Sequence, residues 1–233
     1  MTEMSSQSVP AQQNKISILL ADDHPLLRQA LRNVLEKQPD FEVVGEAEDG
    51  EQTVRFADEL TPDVVIMDIA MPKLNGLEAT RQIREKHPDI QVLVLTVHDD
   101  SEHILGIFEA GAAGYLTKSV FGEEVVGAVR GVISGESILS ASVFRQVLKH
   151  ALRYPTKPVR LKAGEKLTIR ELQILKLVAS GMSNRDVAQE LDLSLRTVKG
   201  YLVEIFSKLG VGSRTEAVIT GLQAGILTLD EIG

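Results

Sequence analysis

The chain has 233 residues, of which 43% are hydrophobic and 25% charged, with no cysteine and a formal net charge of −8. That length suits one large domain or two modest ones in a soluble protein, and the lack of cysteine excludes disulfides, thiolate zinc sites and cysteine nucleophiles. The charge is unevenly divided: residues 1–144 carry 11 Lys/Arg against 24 Asp/Glu, and residues 145–233 carry 14 against 9, so two domains with different partners are expected.

The opening residues 1–14 are polar, lack the apolar core of a signal peptide and are expected to form a disordered tail. No apolar run approaches the ~20 residues of a membrane span, so no membrane partner is expected. From residue 16 to 131, five short strand candidates alternate with helical patterns: 16–21, 41–47, 64–67, 92–96 and 114–117. The first, third and fourth are continuous apolar runs, as parallel strands covered on both faces require, whereas the second alternates and suits an edge. Leu27, Leu31, Val34 and Leu35 share one face of a helix that opens with Pro25, a residue suited to a first helical turn. The alternation predicts a doubly wound parallel sheet.

In such sheets ligands gather beyond the carboxyl ends of the strands, where the strand order reverses. Strand 1 ends in Asp22-Asp23, strand 3 in Asp68, strand 4 in Thr96 and strand 5 in Thr117-Lys118. With a flavodoxin-like order 2-1-3-4-5, strands 1 and 3 are neighbours and three carboxylates converge. Their repulsion demands a proton or a cation, and hard oxygen ligands favour Mg²⁺. Taken singly, each residue has a plainer role. Asp68 can cap a loop, Asp22 or Asp23 can cap the helix at Pro25, Lys118 can be a solvated charge and Tyr115 a half-buried filler. His24 and His98 lack a spacing partner and are read as loop residues.

The paired acids Asp22-Asp23, the run "DVVIMDIAMP…NG", Thr96 and "GAAGYLTK" resemble, in order and spacing, the receiver domain of a two-component response regulator. The resemblance implies that Asp68 accepts a phosphoryl group from a sensor histidine kinase. It further implies that Asp22, Asp23, Asp68 and the carbonyl of Ala70 surround Mg²⁺, Asp22 directly or through water. Thr96 and Lys118 would bind the phosphoryl oxygens, and Tyr115 would change rotamer with Thr96. Many receivers place proline after the lysine, where this chain has Ser119, so the usual reason for a cis peptide is removed there.

A helix is predicted over 140–152, within a linker spanning 134–164. From Arg145 to Lys166 there are seven basic residues and one acid, Glu165, and Pro155 and Pro158 give this tether extended character. Beyond it, Thr168 with Glu171, Ser183 with Asp186 and Ser213 with Glu216 match the capping pattern [ST]-x-x-[DE]. Ser194 can cap a further helix, and Gly181 and Gly210 serve as stops. Four helices follow, at about 169–180, 184–191, 195–209 and 214–226, and "LDLS" gives helix-turn-helix spacing. In the third, Val198, Leu202, Ile205, Phe206 and Leu209 form a packing face, opposite Arg196, Lys199, Gly200, Val203 and Ser207. Residues 166–214 carry 8 Lys/Arg and 5 Asp/Glu, a weak excess that makes a dimer necessary for enough phosphate contacts.

Residues 167–218 closely resemble the LuxR-type helix-turn-helix, and with the receiver in front the chain resembles a NarL/FixJ-type response regulator. The domains expected are a receiver at 15–133 and an all-α DNA-binding domain at 165–233. The resemblance implies contacts to double-stranded DNA from Arg196, Thr197, Lys199, Gly200 and Val203. It also implies a homodimer, at least when phosphorylated or DNA-bound, in the cytoplasm. Such a protein is a phospho-acceptor that catalyses its own phosphorylation and dephosphorylation, not a turnover enzyme. Two other readings are a DNA binder with a silent receiver and a phosphatase with Asp68 as nucleophile; the second leaves the helix-turn-helix unexplained.

Overall fold

The computed structural model describes residues 15–97, 101–120, 122–136, 138 and 166–228. Residues 1–14, His98, the helix expected at 140–152 and most of the linker lie outside them. Five strands, β1 (Ile16–Ala21), β2 (Phe41–Ala47), β3 (Val64–Met67), β4 (Gln91–Thr96) and β5 (Gly114–Thr117), form one parallel sheet in the order β2-β1-β3-β4-β5. The flavodoxin-like order expected for the doubly wound sheet is the order found.

Each sheet face is covered by helices. Ile18, Leu20, Val64 and Ile66 pack with Leu31 and Leu35 of α1 (Pro25–Leu35) and with Val125 and Val129 of α5 (Glu123–Ser134). Leu19, Val65 and Met67 face the other way, toward Ala57 of α2 (Gly50–Leu60), Ile83 of α3 (Gly76–Lys86) and Phe108 of α4 (Ser101–Glu109). Every β3 residue is buried, whereas β2 alternates at the sheet edge, as the apolar runs require. Past α5, Ile138 bridges Gly114, and its carbonyl accepts from the Tyr115 amide at 2.9 Å.

The second unit has α6 (Ile169–Ala179), α7 (Asn184–Glu190), α8 (Leu195–Leu209) and α9 (Arg214–Gln223). Full capping boxes start α6 (Thr168 with Glu171) and α7 (Ser183 with Asp186), and the Ser194 hydroxyl accepts from the Thr197 amide at α8. The third expected box is shifted. Ser213 accepts from the Glu216 amide, but the Glu216 carboxylate reaches one residue further back, to the Gly212 amide at 2.8 Å. Gly210, at φ +68, ends α8, a conformation that costs glycine little. Val198, Leu202, Ile205 and Leu209 of α8 are buried as its apolar spacing predicts.

The two units meet below the sheet, at the end opposite Asp68. Arg84 near the end of α3 is 8% exposed. It donates to the carbonyls of Pro88 (2.6 Å) and Ile90 (2.5 Å), and across the interface to that of Gly212. Asn184 donates to the Ser134 carbonyl at 2.8 Å. Between these contacts lies a cleft of about 340 Å³ lined by Ala113 and Val132 on one side and by Val203, Phe206 and Ser207 of α8 on the other. Phe206, assigned by its spacing to the second unit's own core, is half-buried and also faces this cleft. Substituting Arg84→Met is expected to release the second unit, raising the radius of gyration measured by small-angle X-ray scattering. Identical scattering from the variant and the wild type would contradict the contact.

Candidate functional site

Register builds the site. Ala21 of β1 pairs with Met67 of β3, and the Asp68 amide donates to the Ala21 carbonyl at 2.7 Å. The residues just past both strands, Asp22-Asp23 and Asp68, therefore leave the sheet together. Carboxylate oxygens of Asp22, Asp23 and Asp68, with a ring nitrogen of His24, lie within 4.8 Å of one another. Thr96 ends β4 in register with Thr117 of β5, and the Lys118 amide donates to the Thr96 carbonyl at 2.7 Å. That turn carries the Lys118 ammonium to 2.8 Å from both Asp22 Oδ2 and Asp68 Oδ2. Thr96 is fully buried, Tyr115 is 6% exposed instead of half-buried, and Ala70 is exposed two residues beyond Asp68.

Lys118 faces opposing effects. Burial disfavours its charge, but attraction to the Asp22 and Asp68 carboxylates prevails and raises its pKa above the ordinary lysine value. Asp68 Oδ2 is at ion-pair distance from Lys118 but lacks an aligned hydrogen bond, and Asp23 Oδ1 also lacks one despite the nearby His24 ring. Buried carboxylate oxygens without aligned donors are a fit for a hard divalent cation such as Mg²⁺. The loop after Asp68 suits the same purpose. The Ile69 carbonyl accepts the amides of both Met71 (3.0 Å) and Gly76 (2.9 Å), so neither turn bond uses the Ala70 carbonyl. A Cβ on Gly76 would sit 1.9 Å from the Asp68 carbonyl oxygen, so only glycine closes this loop.

Around the acid pair, Arg28 escaped notice in the sequence, and His24 and Asp22 make contacts other than those weighed for them. His24, read as a loop residue, places Nδ1 2.7 Å from Asp23 and 3.2 Å from Asp22. Asp22, weighed as a helix cap, instead accepts the His24 amide at 2.8 Å; His24 occupies the cap position, and its side chain makes no capping bond to the helix. Arg28 donates to the Asp22 carbonyl at 2.6 Å and to Glu46 at 3.2 Å, bracing the acidic turn from α1. Arginine one turn into a helix that follows an acid pair is a signal that spacing alone offered. No cis peptide is present among the described residues, and Lys118 is followed by Ser119 in an ordinary turn.

The helix-turn-helix places Arg196, Thr197, Gly200 and Val203 on the exposed side of α8, with Lys199 half-buried. The Thr197 hydroxyl lies 2.8 Å from that of Ser194, within the cap. The basic count overstated the charge available to a partner. Arg214 is 7% exposed and donates to Asn184, Val178 and Met182, and burial pushes its pKa down to about 10. Lys208 is held by the buried Glu171 at 2.7 Å. These two cations hold the domain together.

Comparisons with known proteins match residues in both units. Residues 18–130 match the response regulator receiver domain, and residues 165–220 match the bacterial regulatory proteins of the luxR family. The transcriptional regulatory protein LiaR of Bacillus subtilis (strain 168) is 42% identical over 204 residues, covering 88% of this chain and 95% of LiaR. The transcriptional regulatory protein DegU of Brevibacillus brevis is 36% identical, covering 91% of this chain and 95% of DegU. A crystal structure of a LuxR-family two-component response regulator from Aurantimonas sp. SI85-9A1 matches with a TM-score of 0.55 and 37% identity, covering 60% of this chain and 99% of that one.

Removing the Lys118 ammonium leaves Asp22 and Asp68 facing one another. Lys118→Met is expected to destabilise the receiver by on the order of 2 kcal/mol at pH 7 in urea unfolding, with part of the loss recovered by millimolar Mg²⁺. Because the folded-state pKa of Lys118 is raised, its contribution is complete below the ordinary lysine value of 10.5 and is lost as pH climbs through the raised value. Equal unfolding midpoints for variant and wild type at pH 7 would contradict this.

Proposed function

Because the chain belongs to the NarL/FixJ-type response regulators, transcriptional regulators with a receiver and a LuxR-type DNA-binding domain, we propose that Asp68 is its phospho-acceptor. The donor is a sensor histidine kinase, and the phosphorylated state controls the hold of α8 on double-stranded DNA. The observation that carries this reading is the convergence of Asp22, Asp23 and Asp68 with Lys118 bridging two of them.

Phosphoryl transfer asks for positioning and charge neutralisation more than for covalent catalysis. An Asp68 carboxylate oxygen forms the new bond to phosphorus as the bond from phosphorus to the kinase histidine breaks, and the imidazole leaves with that electron pair. Asp22, Asp23, Asp68 and the Ala70 carbonyl would hold Mg²⁺, which neutralises phosphoryl oxygen charge when bound. Lys118 shifts from its carboxylate partners to a phosphoryl oxygen, and the Thr96 hydroxyl donates to another. Tyr115, on the strand beside Thr96, then repacks and alters the face made by β4, β5, α4 and α5. The product stays on Asp68, so the protein is a switch that catalyses its own phosphorylation and dephosphorylation, not a turnover enzyme.

The contact between the units favours relief of inhibition. Val203 and Ser207 line the cleft toward the receiver, and a duplex about 20 Å wide cannot enter a space of that volume. Arg196, Thr197, Lys199, Gly200 and Val203 meet DNA once the units part. With Arg214 and Lys208 engaged inside the domain, one copy offers few phosphate contacts, so a homodimer binds. This reading places the protein with the chromosome, in the cytoplasm.

A DNA site selected by the protein from a random-sequence library provides the test, read by fluorescence anisotropy. Beryllofluoride with Mg²⁺ is expected to tighten binding by about tenfold, a coupling of about 1.4 kcal/mol, and Asp68→Asn to abolish the response. Wild-type affinity unmoved by beryllofluoride would favour a DNA binder with a silent receiver.

A further inference from the structure

We propose that Lys73 is a positioning residue for the Asp68 site, gripping Asp49 so that the loop after β3 is held in the shape that binds the metal ion. This rests on the reading of that site as the phosphoryl and Mg²⁺ pocket.

Lys73 lies in the loop between Asp68 and α3 with φ +62, one of three described residues other than glycine at positive φ. Lysine in this region costs on the order of 1 kcal/mol, and such conformations persist where the surroundings impose them. The surroundings here are specific. The Lys73 ammonium lies 2.6 Å from Asp49 Oδ2, and Asp49 is 1% exposed. Asp49 is also the N-cap of α2, accepting the Gln52 amide at 2.8 Å. Hydrogen bonding to Lys73, with the Gln52 amide assisting, holds the Asp49 carboxyl below the usual aspartate range, and Asp49 in turn raises the pKa of Lys73. Both partners therefore carry full charge at neutral pH.

The grip sits beside a second, steric contact between the same two loops. A Cβ on Gly50 would fall 2.0 Å from the Leu74 carbonyl oxygen, so residue 74 rests directly on the first turn of α2. Together with the closure of Gly76 on the Asp68 carbonyl, this seats the loop at three points: its far end on β3, Leu74 on Gly50, and Lys73 on Asp49. The first two are fixed contacts of backbone with glycine. The third depends on a side chain more than half exposed, at 55%, and is the one that substitution can release without a clash. Between Asp68 and these anchors lies Ala70, whose carbonyl the metal reading requires to point inward.

Lys73→Gly tests the grip without backbone strain, because glycine accepts φ +62 while the whole side chain, ammonium included, is lost, and Lys73→Arg controls for the added backbone freedom. In metal-free protein, the amides of Met71 and Gly76 are expected to exchange with deuterium several-fold faster in this variant than in the wild type. Calorimetric titration with Mg²⁺ should show an affinity about tenfold weaker, the lower range for losing a group that orients a metal ligand. Thermal stability should stay level, and Lys73→Arg should restore the Mg²⁺ affinity. An unchanged Mg²⁺ affinity in Lys73→Gly, with or without faster exchange, overturns this inference and leaves the phosphoryl reading intact. Wild-type protein that binds no Mg²⁺ overturns the metal reading, and this inference with it.

Discussion

Like charge at the carboxyl end of the sheet, beyond its central strands, is the constraint on which the rest of this receiver depends. Parallel pairing of β1 with β3 brings Asp22 and Asp68 out side by side, and two buried carboxylates cannot stay charged together without a cation. Lys118 meets that need in the structure, 2.8 Å from both. The same arrangement supports the switch proposed for this pocket. A group that adds charge to Asp68 changes what Lys118 must neutralise, and Lys118 is one residue from β5 and bonded through its amide to the end of β4. A change of charge at one strand end is thereby coupled to the two strands that border the second unit's docking face.

That docking face lies at the other end of β4 and β5, where Arg84 reaches the Gly212 carbonyl and Asn184 reaches that of Ser134. Both bonds run from side chains to backbone carbonyls, and burial lowers the pKa of Arg84. A desolvated arginine held by neutral acceptors is a weaker tie than an ion pair of equal burial. On separation, water can replace the neutral carbonyl partners of both side chains, which is compatible with the opening proposed above.

Much of this was legible in the sequence, for physical reasons. The apolar runs at 64–67 and 92–96 fit strands covered on both faces, and the convergence of Asp22 and Asp68 follows from the sheet's order. Capping residues located the four C-terminal helices to within a few residues, since Thr168, Ser183, Ser194 and Ser213 act on amides three positions away. Long-range pairing was not legible. Arg214 and Lys208 counted as basic surface until the fold buried one and paired the other with Glu171. Lys73 and Asp49 are 24 positions apart, and nothing local to either predicts the other. His24 was passed over because a lone imidazole beside an acid pair has no periodic signature.

The central claim is that Asp68 receives a phosphoryl group in a pocket that needs a divalent cation. Intact mass spectrometry after incubation with acetyl phosphate tests it most directly, with and without Mg²⁺, on wild type and Asp68→Asn. The account predicts one added phosphoryl group per chain, formed on the wild type with Mg²⁺ and absent from Asp68→Asn. An adduct of equal yield on Asp68→Asn, or a wild type that gains no adduct and no stability from beryllofluoride with Mg²⁺, would contradict it.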